Sequence, residues 1–402
     1  MKPHVRARPR ANTAGHVSGS SSACPEGHAL EARAAPRSSI RRLAGSLGLG
    51  AASLVVAALL LEVAFRLGGV SVGTVQINRA TVRRSDDPRL RFELRPGSAV
   101  RAEVEYRVNA EGLRGPETTL EKPPGVRRVA VLGDSIAFGY WVAERDTFPR
   151  QLETMLSDSA GAAARIEVLN FGVPGYNLDQ EIETLRARAL DFSPDVVVVA
   201  FCLNDLEGIF SYELGLVQDR AARSRSWAGR LREALLGRSL LFSWVEYRLS
   251  ELEARRTFVR ARNPTGGPVY AEAVGRQKAA LRGKLEVLRG LLAARRIPGL
   301  LVVFPVLGGP FQRYPHRELH RAVVETAEEA GLAAVDLLDC YSAYGFRDLR
   351  VDVLHPSPLG HRVAAHGIRD ALCARGWLCA GVPPGRDCSA YRPSDFPTVR
   401  GY

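Results

Sequence analysis

The chain has 402 residues, enough for one ordinary domain of about 100–200 residues with appendages, and its 46% hydrophobic and 24% charged residues exclude wholesale disorder and a polytopic membrane protein. A formal net charge of +12 raises the question of nucleic-acid binding. Half of that excess lies before residue 43, and the rest is scattered Arg without an aromatic-interleaved stripe, so no nucleic-acid partner is expected.

Residues 1–42 are rich in Arg, Ala, Ser and Gly without periodicity and read as a disordered tail. The run from Leu43 to Leu61 carries no charge and, at about 19 residues, is long enough to cross the hydrocarbon core as a helix. The segment 43–65 is therefore assigned as a single transmembrane anchor. Arg37, Arg41 and Arg42 precede it, so the positive-inside rule leaves the tail in the cytoplasm and exports everything after about residue 70 to the periplasmic or extracellular side of the cytoplasmic membrane. A cleaved signal peptide is the competing reading. The long charged segment ahead of the apolar run and the lack of a small-x-small site after it favour an uncleaved anchor. Of the six cysteines, Cys24 falls in the tail, while Cys202, Cys340, Cys373, Cys379 and Cys388 fall in the exported part, where disulfides persist. The group Cys373, Cys379 and Cys388 is spaced to hold one bridge; the odd count leaves at least one thiol free, and the connectivity stays open.

Residues 71–126 form a small β-rich preface, in which Val100, Ala102, Val104, Tyr106 and Val108 alternate with charged residues. It ends in turn-forming residues from Asn109 to Pro116. From residue 127 the pattern changes to apolar runs separated by amphipathic stretches, which predicts parallel strands covered by helices on both faces. The predicted strands are Arg128–Leu132, Ile166–Asn170, Val196–Phe201, Leu300–Phe304 and Ala333–Leu338. A five-stranded doubly wound α/β sheet follows, with its active site at the carboxyl ends of the strands. The domain is assigned to 127–376. An insertion at 206–290 is too long for an ordinary connection and reads as a helical lid or as extra packing helices. Residues 377–402 are a C-terminal extension.

Four segments carry chemistry. The first strand runs into Gly133-Asp134-Ser135, which would present the serine hydroxyl at the mouth of the sheet and aim its backbone N–H at a developing oxyanion. The second ends in Asn170-Phe171-Gly172-Val173-Pro174-Gly175, where Gly175 could offer a second N–H. The third ends in Cys202-Leu203-Asn204-Asp205, where the Asn204 amide could supply a third donor. Near the C-terminus, Asp352-Val353-Leu354-His355 places a carboxylate and an imidazole three residues apart. Ser357 and Pro358 then read as N-cap and first residue of a last helix. Serine needs a base titrating near neutrality, and the base needs a carboxylate to fix its tautomer. Each segment alone is commonplace, as a helix cap, a glycine turn, an Asn-Asp turn or a chance Asp-x-x-His. Together, in this order and at these places, they supply the parts of one acyl-transfer site. Asp134 and Asp205 are read as ligands of loop backbone, His361 and His366 as surface residues of the last helix, and Arg114 as a neighbour of the site without further support.

These segments resemble the serine, glycine, Gly-x-Asn-Asp and Asp-x-x-His motifs of the SGNH/GDSL hydrolases, over about residues 127–375. The resemblance implies a three-layer flavodoxin-like fold, a triad of Ser135, His355 and Asp352, and an oxyanion hole of Ser135, Gly175 and Asn204. It implies carboxylic ester hydrolysis in the exported compartment without metal or organic cofactor, on small-molecule, lipid or glycan acyl esters. An O-acyltransferase with the same triad and a non-catalytic envelope-binding module are the alternatives. The preface, ending in Asn-x-x-Gly-Leu-Arg, is similar to a segment that precedes the serine motif in many anchored bacterial members. Cys202 departs from the family pattern, standing where glycine is usual.

Overall fold

The computed structural model describes residues 37–68, 77–160 apart from 79 and 103, 165–205, 268–379, and short stretches between 227 and 249. Helix α1 (Arg37–Leu67) begins inside the stretch read as tail. Nothing in Arg37–Arg42 breaks a helix, and once an apolar helix is nucleated each added turn is inexpensive. Its Ser46–Leu67 part is exposed, apolar and long enough to span a membrane. At its end the Glu62 carboxylate accepts the backbone N–H groups of Leu240 and Leu241, each at 3.0 Å, and the Ser239 hydroxyl at 2.8 Å. That contact belongs to the described part of the 206–290 insertion; most of the residues on which the lid reading rests lie outside the described residues.

Two short antiparallel pairs come next: β1 (Val82–Arg84) with β2 (Phe92–Leu94), and β3 (Ala99–Arg101) with β4 (Glu105–Arg107). The alternation from Val100 to Val108 is thus a hairpin and not one strand. The chain reverses where Ala102 N–H donates to Val104 O, and Val100 faces Tyr106 across the pair. An alternating pattern keeps its phase through a tight turn, so periodicity alone does not reveal the reversal. Ile77, Leu90, Leu94, Tyr106 and Val108 are buried against Phe138, Tyr140, Val173 and Tyr176, residues of the segments that follow the first two strands of the main sheet.

That sheet is parallel, with β5 (Val126–Gly133) at its switch point between β6 (Arg165–Asn170) and β7 (Val196–Cys202), followed outward by β8 (Gly299–Phe304) and β9 (Ala333–Asp336). Every residue of β7 is buried, as expected of a strand with helices on both faces. The helices α3 (Phe148–Ala160) and α8 (Pro358–Ala374) pack together, and α4 (Leu178–Ala187), α5 (Pro268–Arg295) and α6 (Arg317–Glu329) form a second group. The short α2 (Ser135–Phe138) follows β5, and α7 (Leu338–Ser342) follows β9. β9 stops two residues before the predicted Leu338, because Asp336 Oδ1 accepts the Leu338 N–H at 2.9 Å and starts α7.

The last helix begins as its sequence predicts, with the Ser357 hydroxyl accepting the Gly360 N–H and Pro358 in the first turn. His361 is not on its surface. It is fully buried, its Nδ1 accepts the Phe148 N–H at 3.2 Å, and burial, with the charges of Arg114 and His355, lowers its pKa to about 3. A histidine following two apolar-spaced helical positions looks polar in sequence, but neutral imidazole packs well where one ring nitrogen finds a donor. Cys373 and Cys379 are bridged, Cys340 is also disulfide-bonded, and Cys202 is buried and in no disulfide. Cys388 and the tail beyond it lie outside the described residues.

Candidate active site

Ser135 stands at the carboxyl end of β5 as the first residue of α2. Asp134 is the N-cap: its Oδ1 accepts the Ile136 N–H at 2.8 Å, holding the turn that lifts Ser135 out of the sheet. The preceding Gly133 leaves no room for a side chain, since a Cβ there would lie 2.7 Å from Ala137 Cβ and 3.0 Å from Ala200 Cβ. The serine turn is therefore pressed against β7.

Asp352 and His355 occupy the loop before α8, and the Val353 carbonyl of that loop accepts the Leu307 N–H, tying it to the segment after β8. Asp352 Oδ1 accepts the backbone N–H groups of Leu354 at 2.9 Å and His355 at 2.8 Å. Its Oδ2 lies 2.7 Å from His355 Nδ1, and His355 Nε2 lies 2.9 Å from Ser135 Oγ. Burial pushes the Asp352 carboxyl up, but the His355 charge and these hydrogen bonds outweigh it and hold the pKa at about 2. The carboxylate is ionised at neutral pH. It faces the nitrogen that must carry the proton if Nε2 is to accept one from the serine. Ser135 and His355 are each 2% exposed, and the Tyr140 ring meets the imidazole edge-on at 5.4 Å.

Behind the serine turn lies β6. Asn170 Nδ2 donates to the Ala137 carbonyl at 2.7 Å while its Oδ1 accepts the Gly172 N–H. Gly172 runs hard against the turn, and Gly175 sits in the left-handed region at φ 82°, in a turn closed by the Tyr176 N–H to the Val173 carbonyl. Asp205 Oδ2 accepts the Cys202 N–H at 2.8 Å, closing the turn that contains Asn204; the Asn204 side chain lies outside the described residues. The backbone-bonding roles read for Asp134 and Asp205 are those found.

Arg114, read from the sequence as a neighbour of the site, and two residues that the motif reading missed stand around it. Arg114 is buried, with its guanidinium 4.6 Å from the Tyr106 ring and 4.7 Å from that of Phe138. It donates to the carbonyls of Phe138, Gly139 and Val142. Burial lowers its pKa to about 10, so it keeps its charge at neutral pH. Trp141 Nε1 donates to Asp352 Oδ2 at 3.1 Å. Glu181, in α4, is 1% exposed and its two carboxyl oxygens have no hydrogen-bond partner among the described residues. The Gly-Leu-Arg sequence at 112–114 was the available signal for the first; Trp141 and Glu181 follow motif segments without any spacing that announces them.

No group of three or more His, Cys, Asp or Glu side chains is arranged to hold a metal among the described residues.

The GDSL-like lipase/acylhydrolase family model matches residues 131–363. No curated protein matches the sequence. Among solved structures, an α/β hydrolase from the metagenome of Lake Arreo, Spain, is 16% identical over 63% of this chain and 96% of that one, with a TM-score of 0.40. A lipase/acylhydrolase from Enterococcus faecalis is 18% identical over 65% of this chain and 100% of that one, with a TM-score of 0.38. An acetyl xylan esterase is 14% identical over 61% and 99%, also with a TM-score of 0.38. With more than half of its length inside the family model, the chain belongs to the GDSL-like lipase/acylhydrolase family and is a carboxylic ester hydrolase.

Proposed function

We infer that the protein is a membrane-anchored serine esterase whose catalytic domain, residues 127–376, works on the exported side of the cytoplasmic membrane. The observation that carries the chemistry is the unbroken chain Ser135 Oγ, His355 Nε2, His355 Nδ1, Asp352 Oδ2, with steps of 2.9 and 2.7 Å. Ser135 attacks the ester carbonyl carbon as His355 takes its proton, and Asp352 stabilises the imidazolium. The oxyanion is held by the N–H groups of Ser135 and Gly175 and the amide of Asn204. His355 then gives its proton to the departing alcohol, and water, activated by the same imidazole, cleaves the acyl-enzyme. The acyl groups are carried by lipids, envelope glycans or small alcohols.

The anchor reading rests on the exposed apolar stretch Ser46–Leu67 and the arginines before it, with the 1–42 tail cytoplasmic and the preface at 71–126 exported with the hydrolase. The test is p-nitrophenyl acetate hydrolysis by the full chain in detergent micelles, beside Ser135→Ala. The variant is expected to fall to the background rate, and equal rates would end the serine mechanism.

A further inference from the structure

Trp141 stands in a place that neither the family motifs nor its own sequence explains. It is a non-glycine residue in the left-handed region, at φ 69°, a conformation that costs energy and persists only where surroundings impose it. Two contacts impose it here. Its backbone N–H donates to the Tyr106 hydroxyl at 2.7 Å, and its indole N–H donates to Asp352 Oδ2 at 3.1 Å. Tyr106 belongs to β4 of the preface and is itself fixed, stacked on Phe138 with ring centroids 5.7 Å apart and planes 1° from parallel, beside the Arg114 guanidinium.

We propose that Trp141 is a positioning residue for the triad, holding the Asp352 carboxylate in the orientation that His355 needs, and that the preface takes part in catalysis by fixing Trp141 through Tyr106. The inference rests on the reading of Ser135, His355 and Asp352 as a triad. Asp352 Oδ1 is tied to the backbone of its own loop by Leu354 and His355, so its rotation is limited on one side only. Oδ2 receives His355 Nδ1 and the Trp141 indole. The indole is the donor that comes from a different element, and among the described residues it joins this oxygen to the loop that follows the serine turn. Without it the carboxylate can swing with its loop, and the imidazole loses a fixed partner in the step where its charge develops. Substrate binding does not use this contact, so its loss falls on kcat and leaves KM nearly unchanged.

The test replaces the indole N–H and nothing else. The full chain carrying 3-benzothienylalanine at position 141 keeps the bicyclic shape with sulfur in place of N–H. It is assayed on p-nitrophenyl acetate in detergent micelles beside Trp141→Phe, Ser135→Ala and Asp352→Asn. The expected result is a kcat about tenfold lower with KM within about twofold, from the loss of one hydrogen bond to a charged group. In an Asp352→Asn background the same replacement should have little further effect, because the partner it holds is already changed. A wild-type kcat in the benzothienyl protein, or a loss equally large in the Asp352→Asn background, overturns the proposal. Activity surviving in Ser135→Ala overturns the triad reading beneath it and is seen separately.

Discussion

Asn170 holds Ala137: its side-chain amide donates to the Ala137 carbonyl at 2.7 Å and so joins the end of β6 to the one-turn helix that begins at Ser135. The same side chain accepts the Gly172 N–H and fixes the glycine turn beside it. Replacing Asn170 with Ala leaves the Ala137 carbonyl buried without this donor, at a cost of about 1–3 kcal/mol. Asn170→Ala is expected to lower the unfolding free energy by that amount, read from the shift of the urea midpoint, and to change kcat more than KM, because the turn it steadies carries the serine. Unchanged kinetics at lowered stability would make Asn170 a purely structural residue.

Gly172 tests the same contact from the other side. A Cβ at this position would lie 2.4 Å from Phe138 N and 2.8 Å from the Ala137 carbonyl carbon, both backbone atoms of α2 with little freedom to yield. Gly172→Ala should therefore cost about 1–3 kcal/mol of stability and displace Ser135 from His355. Thermal unfolding together with p-nitrophenyl acetate turnover measures both effects, and a variant as active as the wild type would show that α2 can shift without loss.

The parts of the fold and the site differ in how far they could be read from sequence. The five strands of the main sheet are legible because their burial on both faces writes continuous runs such as Val196–Phe201, and the ends differ by only a few residues. Ser135, Asp352 and His355 are legible because each follows such a run or precedes a capped helix. The hairpin at β3 and β4 was not, since alternation continues through its turn, and neither was the burial of His361, which depends on the Phe148 N–H from a helix 213 residues away. Arg114 is legible as a neighbour of the site, but its partners, three backbone carbonyls, are not, and Trp141 acts through a distant carboxylate that leaves no local spacing.

Arg114 is expected to resist even a conservative change. Its fork reaches three carbonyls of the loop that carries Tyr140 and Trp141, while a lysine ammonium, a compact charge, cannot reach all three. Arg114→Lys should leave at least one buried carbonyl without a donor and cost on the order of 2–3 kcal/mol, read from the urea midpoint, with a fall in turnover. A change below about 0.5 kcal/mol would mean that the loop is held by its aromatic packing instead.

The Glu181 carboxyl gives a pH dependence whose sign follows from its surroundings. Burial pushes its pKa well above the ordinary range, and the nearby charges of Asp205 and Asp134 add to the shift, with no donor to offset it among the described residues. In the unfolded chain the carboxyl ionises near pH ~4.3, whereas in the folded protein it keeps its proton to higher pH. The unfolded state is therefore the first to lose the proton as pH rises. From about pH 4.3 up to the folded-state pKa, the wild type loses about 1.4 kcal/mol of stability per pH unit through this group. Glutamine has nearly the same shape and carries no proton to lose. Glu181→Gln should thus match the wild type in melting temperature near pH 4 and exceed it near pH 8. Asp205 is raised in both proteins and largely cancels in the difference. A difference in melting temperature that is the same at both pH values would show that Glu181 does not hold its proton in the folded state.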